Sequence, residues 1–275
     1  MFLFGSLLND SILISAYSPE RMRSMPSVTI RSVFQELQFW VKGISTLLVL
    51  FFGALYYCMI FSISGRSYDN SYKTYNLWLV ISWVVGLRHR VHGLENQVID
   101  GPKILVVNHQ SALDVPALLY VWPKRSTFVA KRSICTYASF GLLVWFLKAI
   151  LIDRSNRDDS IPKLMNAAKI VRDEKVSVIV FPEGTRGKGK AGLLPFKRGA
   201  FHLAVKAQVP IQPIVIGPYT GFDISRRIAK GCDCDIFVLP PIYTTDMTID
   251  DVPTLTDKVH KQMSDVYLSC CPSEF

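Results

Sequence analysis

No Gly-x-Ser-x-Gly elbow, no His-Glu-x-x-His pair and no Gly-x4-Gly-Lys-Ser/Thr loop occurs in the sequence. Their absence disfavours a serine hydrolase, a zinc protease of that type and a P-loop nucleotide enzyme. Charge is also scarce, at 19% of residues, and it leans basic, with 31 Lys+Arg against 22 Asp+Glu. The cationic side chains are scattered rather than gathered on one helix, so nucleic acid is not an expected partner. Paired thiols are missing too. Cys58, Cys135, Cys232, Cys234, Cys270 and Cys271 form no Cys-x-x-Cys pair, which points away from a zinc site and from a small disulfide framework. Reduced thiols are expected, the adjacent Cys270 and Cys271 included.

What is plentiful is apolar surface. Hydrophobic residues make up 49% of the 275 and the mean hydropathy is +0.25, too apolar for a typical soluble enzyme. An apolar yet basic chain suits an anionic membrane surface or an anionic substrate. The longest apolar run, Ile44 to Ile63, has twenty residues and no charge inside it, with Lys42 and Arg66 bracketing it. At helical rise such a run matches the roughly 30 Å hydrocarbon core. A second run, Tyr75 to Leu87, is shorter and carries Trp78 and Trp83 before Arg88 and Arg90. Rings and cations at one end suit an interfacial or second spanning helix. The bias of flanking cations is undercut by Arg66 and Lys73 in the intervening loop, so topology stays open.

Beyond Lys103 the pattern becomes short β-rich runs alternating with helical stretches. Strands are predicted at 103–108, 126–131, 149–153, 176–181, 209–216 and 235–240. Helices are predicted between them at 115–122, 137–147, 160–174 and 199–208, with a closing helix over 250–268. Near-continuous apolar strands separated by helices imply an α/β fold, a mostly parallel sheet covered on both faces. The expected organisation is an unassigned segment at 1–43, a membrane anchor at 44–90 and a catalytic domain at 91–275.

Four strand ends carry polar chemistry. Asn-His-Gln-Ser-Ala-Leu-Asp, Asn108 to Asp114, follows the first strand. Pro116 is tolerated only in a first helical turn, so a helix starts near Asp114 and the turn folds its carboxylate toward His109. One reading is a histidine held by a carboxylate, with its second nitrogen left as a general base. The other is structural: Ser111 and Asp114 match a capping box, and Asp114 alone would serve as an N-cap. The stretch by itself does not choose. Phe-Pro-Glu-Gly-Thr-Arg, Phe181 to Arg186, reads either as an anion-binding corner with Thr185 and Arg186 or as a surface turn. Lys131 and Arg132 end a third strand, Asp153 and Arg154 a fourth. Gly187, Gly189 and Gly192 spell Gly-x-Gly-x-x-Gly, but neither a preceding strand nor a following helix supports a dinucleotide site. They read instead as a mobile, lysine-bearing loop, with Lys197 and Arg198 beyond it. Cationic strand ends beside a His–Asp pair would present an anionic substrate to a base on one sheet edge.

Taken together, these blocks resemble the glycerolipid acyltransferase family, closest to the 1-acyl-sn-glycerol-3-phosphate acyltransferases of the endoplasmic reticulum. The resemblance rests on 108–114 as the His-x4-Asp motif, 149–156 as the second block, 181–186 as the third and 209–216 as the fourth, in family order. It covers roughly Val91 to Leu268. It implies acyl transfer from acyl-CoA to the 2-hydroxyl of lysophosphatidic acid, giving phosphatidic acid, in an integral membrane protein of the endoplasmic reticulum. His109 would be the base and Asp114 its orienting partner. Glu183, Gly184, Thr185 and Arg186 would hold the glycerol phosphate, with Arg154 and Lys131 assisting. No cofactor beyond the acyl-CoA co-substrate and no metal is implied, because thiolate leaves readily. The implied partners are acyl-CoA, lysophosphatidic acid and the lipid bilayer. Lys148 and Ala149 stand where a glycine is expected, Ser133 where Glu is common, and Gln212 interrupts an apolar strand. These departures bear on acyl-chain preference. The competing readings are another lysophospholipid or glycerol 3-phosphate as acceptor, CoA-independent transacylation, or a non-enzymatic lipid-binding or membrane-shaping protein.

Overall fold

The computed structural model describes residues 30–153, 157–187, 192–224 and 226–271. The chain enters through α1 (Ile30–Ser64), a short α2 (Asn70–Lys73) and α3 (Tyr75–Val85). The sheet follows with β1 (Leu87–His92), β2 (Ile104–Val107), β3 (Ser126–Lys131), β4 (Ile150–Ile152) and β5 (Ser177–Val180). It is completed by β6 (Ile211–Ile216) and β9 (Cys232–Val238), while β7 (Phe222–Asp223) and β8 (Ile228–Ala229) form a separate hairpin. The remaining helices are α4 (Asp114–Ala117), α5 (Ala138–Phe146), α6 (Arg157–Asp173), α7 (Gly199–Ala207) and α8 (Val252–Ser269).

The seven strands lie in the order β1-β9-β6-β2-β5-β3-β4, and all neighbours pair in parallel except β6 with β9. The mostly parallel α/β sheet predicted from the run pattern is present. Alternation along β2 explains its unbroken apolarity. Leu105 and Val107 face a core shared with Tyr57 and Phe61 of α1, Ile81 of α3 and Leu143 of α5. Ile104 and Val106 face the opposite core, built with Val171 of α6, Phe201 of α7 and Val259 of α8. Each fully buried side chain of this size contributes about 1.5–3 kcal/mol.

Three boundaries differ from expectation. Helix α1 begins at Ile30, inside the segment left unassigned, and residues 33–64 are long and apolar enough to cross a membrane. The segment 115–122, predicted as one helix, makes a single α-turn and a 3-10 turn at Leu118–Tyr120. Arg88 and Arg90 are not the cationic end of an interfacial helix. They lie on β1, whose register against β9 puts Arg88 by Asp233 (2.6 Å) and Arg90 by Asp235 (2.8 Å). The sheet therefore starts before position 91. Gly86 makes the corner possible: its φ of 85° is open to glycine, and Lys42 caps the end of α3 by donating to the Val85 carbonyl at 2.9 Å.

Helix α1 runs against the domain along its length. Glu36 pairs with Arg227, Lys42 reaches Val85, and the Ser139 hydroxyl donates to the Phe51 carbonyl at 2.9 Å. Just past its end, Arg66 donates to the Trp145 carbonyl at 3.0 Å. The opposite side is bare, with Leu47, Phe52, Tyr56, Met59 and Ile63 exposed, and Trp83 of α3 and Trp145 of α5 are exposed as well.

Candidate active site

The site forms where β2, β5 and β6 end together, the carboxyl edge at which open α/β sheets gather ligands. Asn108 locks the corner. Its amide donates to the Ile216 carbonyl at 2.9 Å and its oxygen accepts the Ile216 N–H at 2.7 Å, so the β2–β6 pairing extends past the last ladder bond. His109 follows, with its backbone held from two sides by the turn after β5. Its N–H donates to Glu183 Oε1 at 2.6 Å, and its carbonyl accepts the Gly187 N–H at 2.7 Å.

The His109 ring stacks on Phe181 with centroids 4.3 Å apart, and Nδ1 lies 2.6 Å from Asp114 Oδ2. The same carboxylate oxygen accepts the Gln110 and Ser111 N–H groups at 2.7 and 3.0 Å. Asp114 is fully buried, and its second oxygen accepts the Tyr219 hydroxyl at 2.8 Å. The structural and chemical readings of this stretch thus coincide. The carboxylate ties the turn and meets the imidazole at once, while the capping box is half made, since Ser111 Oγ serves Leu113 N instead. With Nδ1–H committed to the carboxylate, the tautomer assigned from this network leaves the Nε2 lone pair toward a small cleft. That cleft is lined by Gln110, Glu183, Gly187, Leu193 and Tyr267 beside His109. A hydroxyl placed there has a proton acceptor in reach.

The turn 183–186 divides into two parts. Thr185 and Arg186 are exposed at the rim, as an anion contact requires. Glu183 is not positioned for the phosphate role the resemblance implied. It is turned inward, its oxygens taken by the N–H groups of His109 and of Leu194 (3.1 Å), and a buried carboxylate would repel phosphate. Burial pushes its carboxyl above the ordinary value, opposed by those two donors. Gly184 has φ 70°, and a Cβ there would stand 2.8 Å from Lys197 Cε and 3.0 Å from its Nζ. The missing side chain lets Lys197 lie across the corner at Gly184, two residues before Arg186. Lys131 is exposed at the end of β3. Arg154 and the lysine-bearing stretch 188–191 fall outside the described residues. Among the described residues no three His, Cys, Asp or Glu side chains converge as a metal site.

Two site residues carried no short-range signal. Tyr219 reaches Asp114 from the loop after β6, and Tyr267 of α8 donates to Gln110 Oε1 at 3.2 Å. Gln110 itself lay within the motif. Its amide donates to the Ile216 and Gly217 carbonyls at 2.9 and 3.1 Å, so it braces the corner. Gln212, read as a departure touching chain preference, sits at the far end of β6. There it accepts Val98 N–H (2.8 Å) and donates to the Leu239 carbonyl (2.6 Å), a loop-tying role.

Replacing Glu183 by Gln tests the inward role. An amide accepts at one atom only, so one of the two buried N–H groups faces an NH2. A loss of about 1–3 kcal/mol is expected, seen as a lower thermal midpoint in detergent together with reduced turnover. A midpoint and rate equal to the parent's would show that the carboxylate is dispensable to the turn.

A sheet of this order, with a His–Asp pair and a basic turn at its carboxyl edge, defines the class of the α/β acyltransferases. The fold is shared with the crystal structure of the 1-acyl-sn-glycerophosphate (LPA) acyltransferase PlsC from Thermotoga maritima. The TM-score is 0.65 at 23% identity, over 89% of this chain and 99% of that one. The family model described as Acyltransferase matches residues 88–217. Human 1-acyl-sn-glycerol-3-phosphate acyltransferase alpha is 40% identical over 208 residues, 75% of this chain and 73% of its own length. The human beta form is 31% identical over 228 residues, 78% of this chain and 82% of its own. The chain belongs to the acyltransferase family.

Proposed function

We propose that the protein transfers an acyl group from acyl-CoA to the free 2-hydroxyl of 1-acyl-sn-glycerol 3-phosphate (lysophosphatidic acid), forming phosphatidic acid. The observation that carries this reading is the buried Asp114 carboxylate at 2.6 Å from His109 Nδ1, near the turn that carries Arg186 and is crossed by Lys197. The similarity to 1-acyl-sn-glycerol-3-phosphate acyltransferases supplies the acceptor. In this mechanism His109 Nε2 takes the hydroxyl proton as the lipid oxygen attacks the thioester carbonyl. Asp114 stabilises the imidazolium that results. The tetrahedral intermediate collapses by breaking the carbon–sulfur bond, and the imidazolium returns the proton to the CoA thiolate. The thiolate is a competent leaving group, so the step uses neither a metal nor a cofactor beyond the co-substrate.

Arg186, Lys197, Lys131 and Thr185 are assigned to the acceptor phosphate. Arg186→Ala is expected to raise the acceptor KM about tenfold, the size of one charge-assisted hydrogen bond, with little change in the KM for acyl-CoA. Steady-state kinetics with both substrates varied checks this. A change confined to acyl-CoA contradicts the assignment.

The protein is assigned to the endoplasmic reticulum membrane, with α1 lying along the surface rather than across it. From Glu36 to Ser64 the helix advances about 42 Å at 1.5 Å per residue, and domain contacts occur at Glu36 and, just past the other end, at Arg66. A perpendicular crossing of a roughly 30 Å core would drag the polar domain into hydrocarbon. The bare apolar side is suited to the acyl layer.

The test is labelled acyl-CoA offered to the purified protein with lysophosphatidic acid, glycerol 3-phosphate and a choline lysolipid in parallel. Incorporation chiefly into lysophosphatidic acid is expected. Absence of product from that acceptor, with product from another, would replace the assigned substrate.

A further inference from the structure

We infer that Tyr219 is a positioning residue that sets the basicity of the His109–Asp114 pair through its hydrogen bond to Asp114 Oδ1. Its hydroxyl lies 2.8 Å from Oδ1, whereas the three other donors, His109 Nδ1, Gln110 N and Ser111 N, all converge on Oδ2. Without Tyr219 one oxygen of a fully buried carboxylate has no donor among these contacts. The half-buried Tyr219 is not among the residues lining the cleft beside His109, and its hydroxyl is committed to Asp114. Among the described residues, the ionisable groups facing the pair include Glu183 from the turn after β5, Tyr267 from α8, Cys234 from β9 and Tyr219 itself. Burial and the Asp114 charge hold the phenol far above its ordinary value, so it stays a neutral donor throughout the working range.

The physical consequence has a definite sign. A donor on Oδ1 withdraws charge from the carboxylate, so the anion competes less strongly for a proton. Removing it raises the proton affinity of the coupled pair, wherever on the pair the proton resides. The acidic limb of kcat/KM, which reports proton uptake by the free enzyme, then moves to higher pH.

This inference rests on the proposed role of His109 as base. The experiment is the pH profile of kcat/KM for lysophosphatidic acid in the parent, in Tyr219→Phe and in protein carrying 3-fluorotyrosine at 219 alone. Tyr219→Phe should shift the acidic limb upward by about one pH unit, with KM at the plateau within about twofold. The more acidic fluorophenol is a stronger donor and should shift the limb downward. Tyr219→Phe with an unmoved limb, whatever its thermal midpoint, leaves the tyrosine as packing only and overturns the inference. The fluorotyrosine protein keeps the test decisive if the phenylalanine variant does not fold. A parent profile with no acidic limb would instead remove the base assignment, and the inference with it.

Discussion

His109→Ala will lower acyl transfer to lysophosphatidic acid by about a thousandfold, the middle of the range for removal of a positioned general base. The substitution deletes the proton acceptor and leaves its surroundings standing. Asp114 keeps donors from Gln110 N, Ser111 N and Tyr219, so no buried charge is orphaned, and the backbone clamp from Glu183 and Gly187 does not depend on the ring. The loss should therefore fall on kcat, with acceptor and acyl-CoA KM nearly unchanged and only a modest drop in thermal midpoint from the lost stack on Phe181. Incorporation of labelled acyl groups under single-turnover conditions measures the chemical step directly. Survival of the parent rate in the alanine protein would end the assignment.

Asp114→Asn should have the next largest effect, about a hundredfold on kcat/KM, and it separates charge from geometry. Three N–H donors converge on Oδ2, and they select which end of the amide faces them. The amide oxygen takes that position, while its NH2 turns to the Tyr219 oxygen, which accepts as readily as it donates. The tautomer and ring orientation of His109 are kept, and the negative charge is lost. An imidazolium without its carboxylate forms less readily, so the acidic limb moves to lower pH as the maximum rate falls. This is the opposite direction from Tyr219→Phe, although both changes touch the same carboxylate. A limb that rises or stays fixed in Asp114→Asn would show that the charge is not what the histidine uses.

Local chemistry made much of this site legible. The apolar runs marked strands β2, β3, β5 and β6, because strands buried on both faces have no polar side to obscure them. The placement of Pro116 located the start of α4, and with it the return of Asp114 to His109. What was not legible depends on partners far along the chain. Strand β1 reads Leu-Arg-His-Arg-Val-His, a polar stretch whose pairing is explained only by Asp233 and Asp235 on β9. Tyr219 and Tyr267 belong to no local pattern and meet the corner only once β6 and α8 have packed. Glu183 was legible as important but not in its direction. A carboxylate beside Gly-Thr-Arg looks like part of a binding turn until its oxygens are found on the N–H groups of His109 and Leu194.

The two-sided hold on the His109 backbone has a consequence for selectivity. The turn that carries Arg186 is the same turn whose Glu183 carboxylate and Gly187 N–H fix the base. On the proposed assignment of Arg186 to the acceptor phosphate, a lipid that grips this turn would also bear on the mount of His109, and one lacking the phosphate would not. Acceptors would then be sorted by how fast they react once bound as well as by how firmly they bind, and a poor acceptor driven to saturation is expected to turn over slowly.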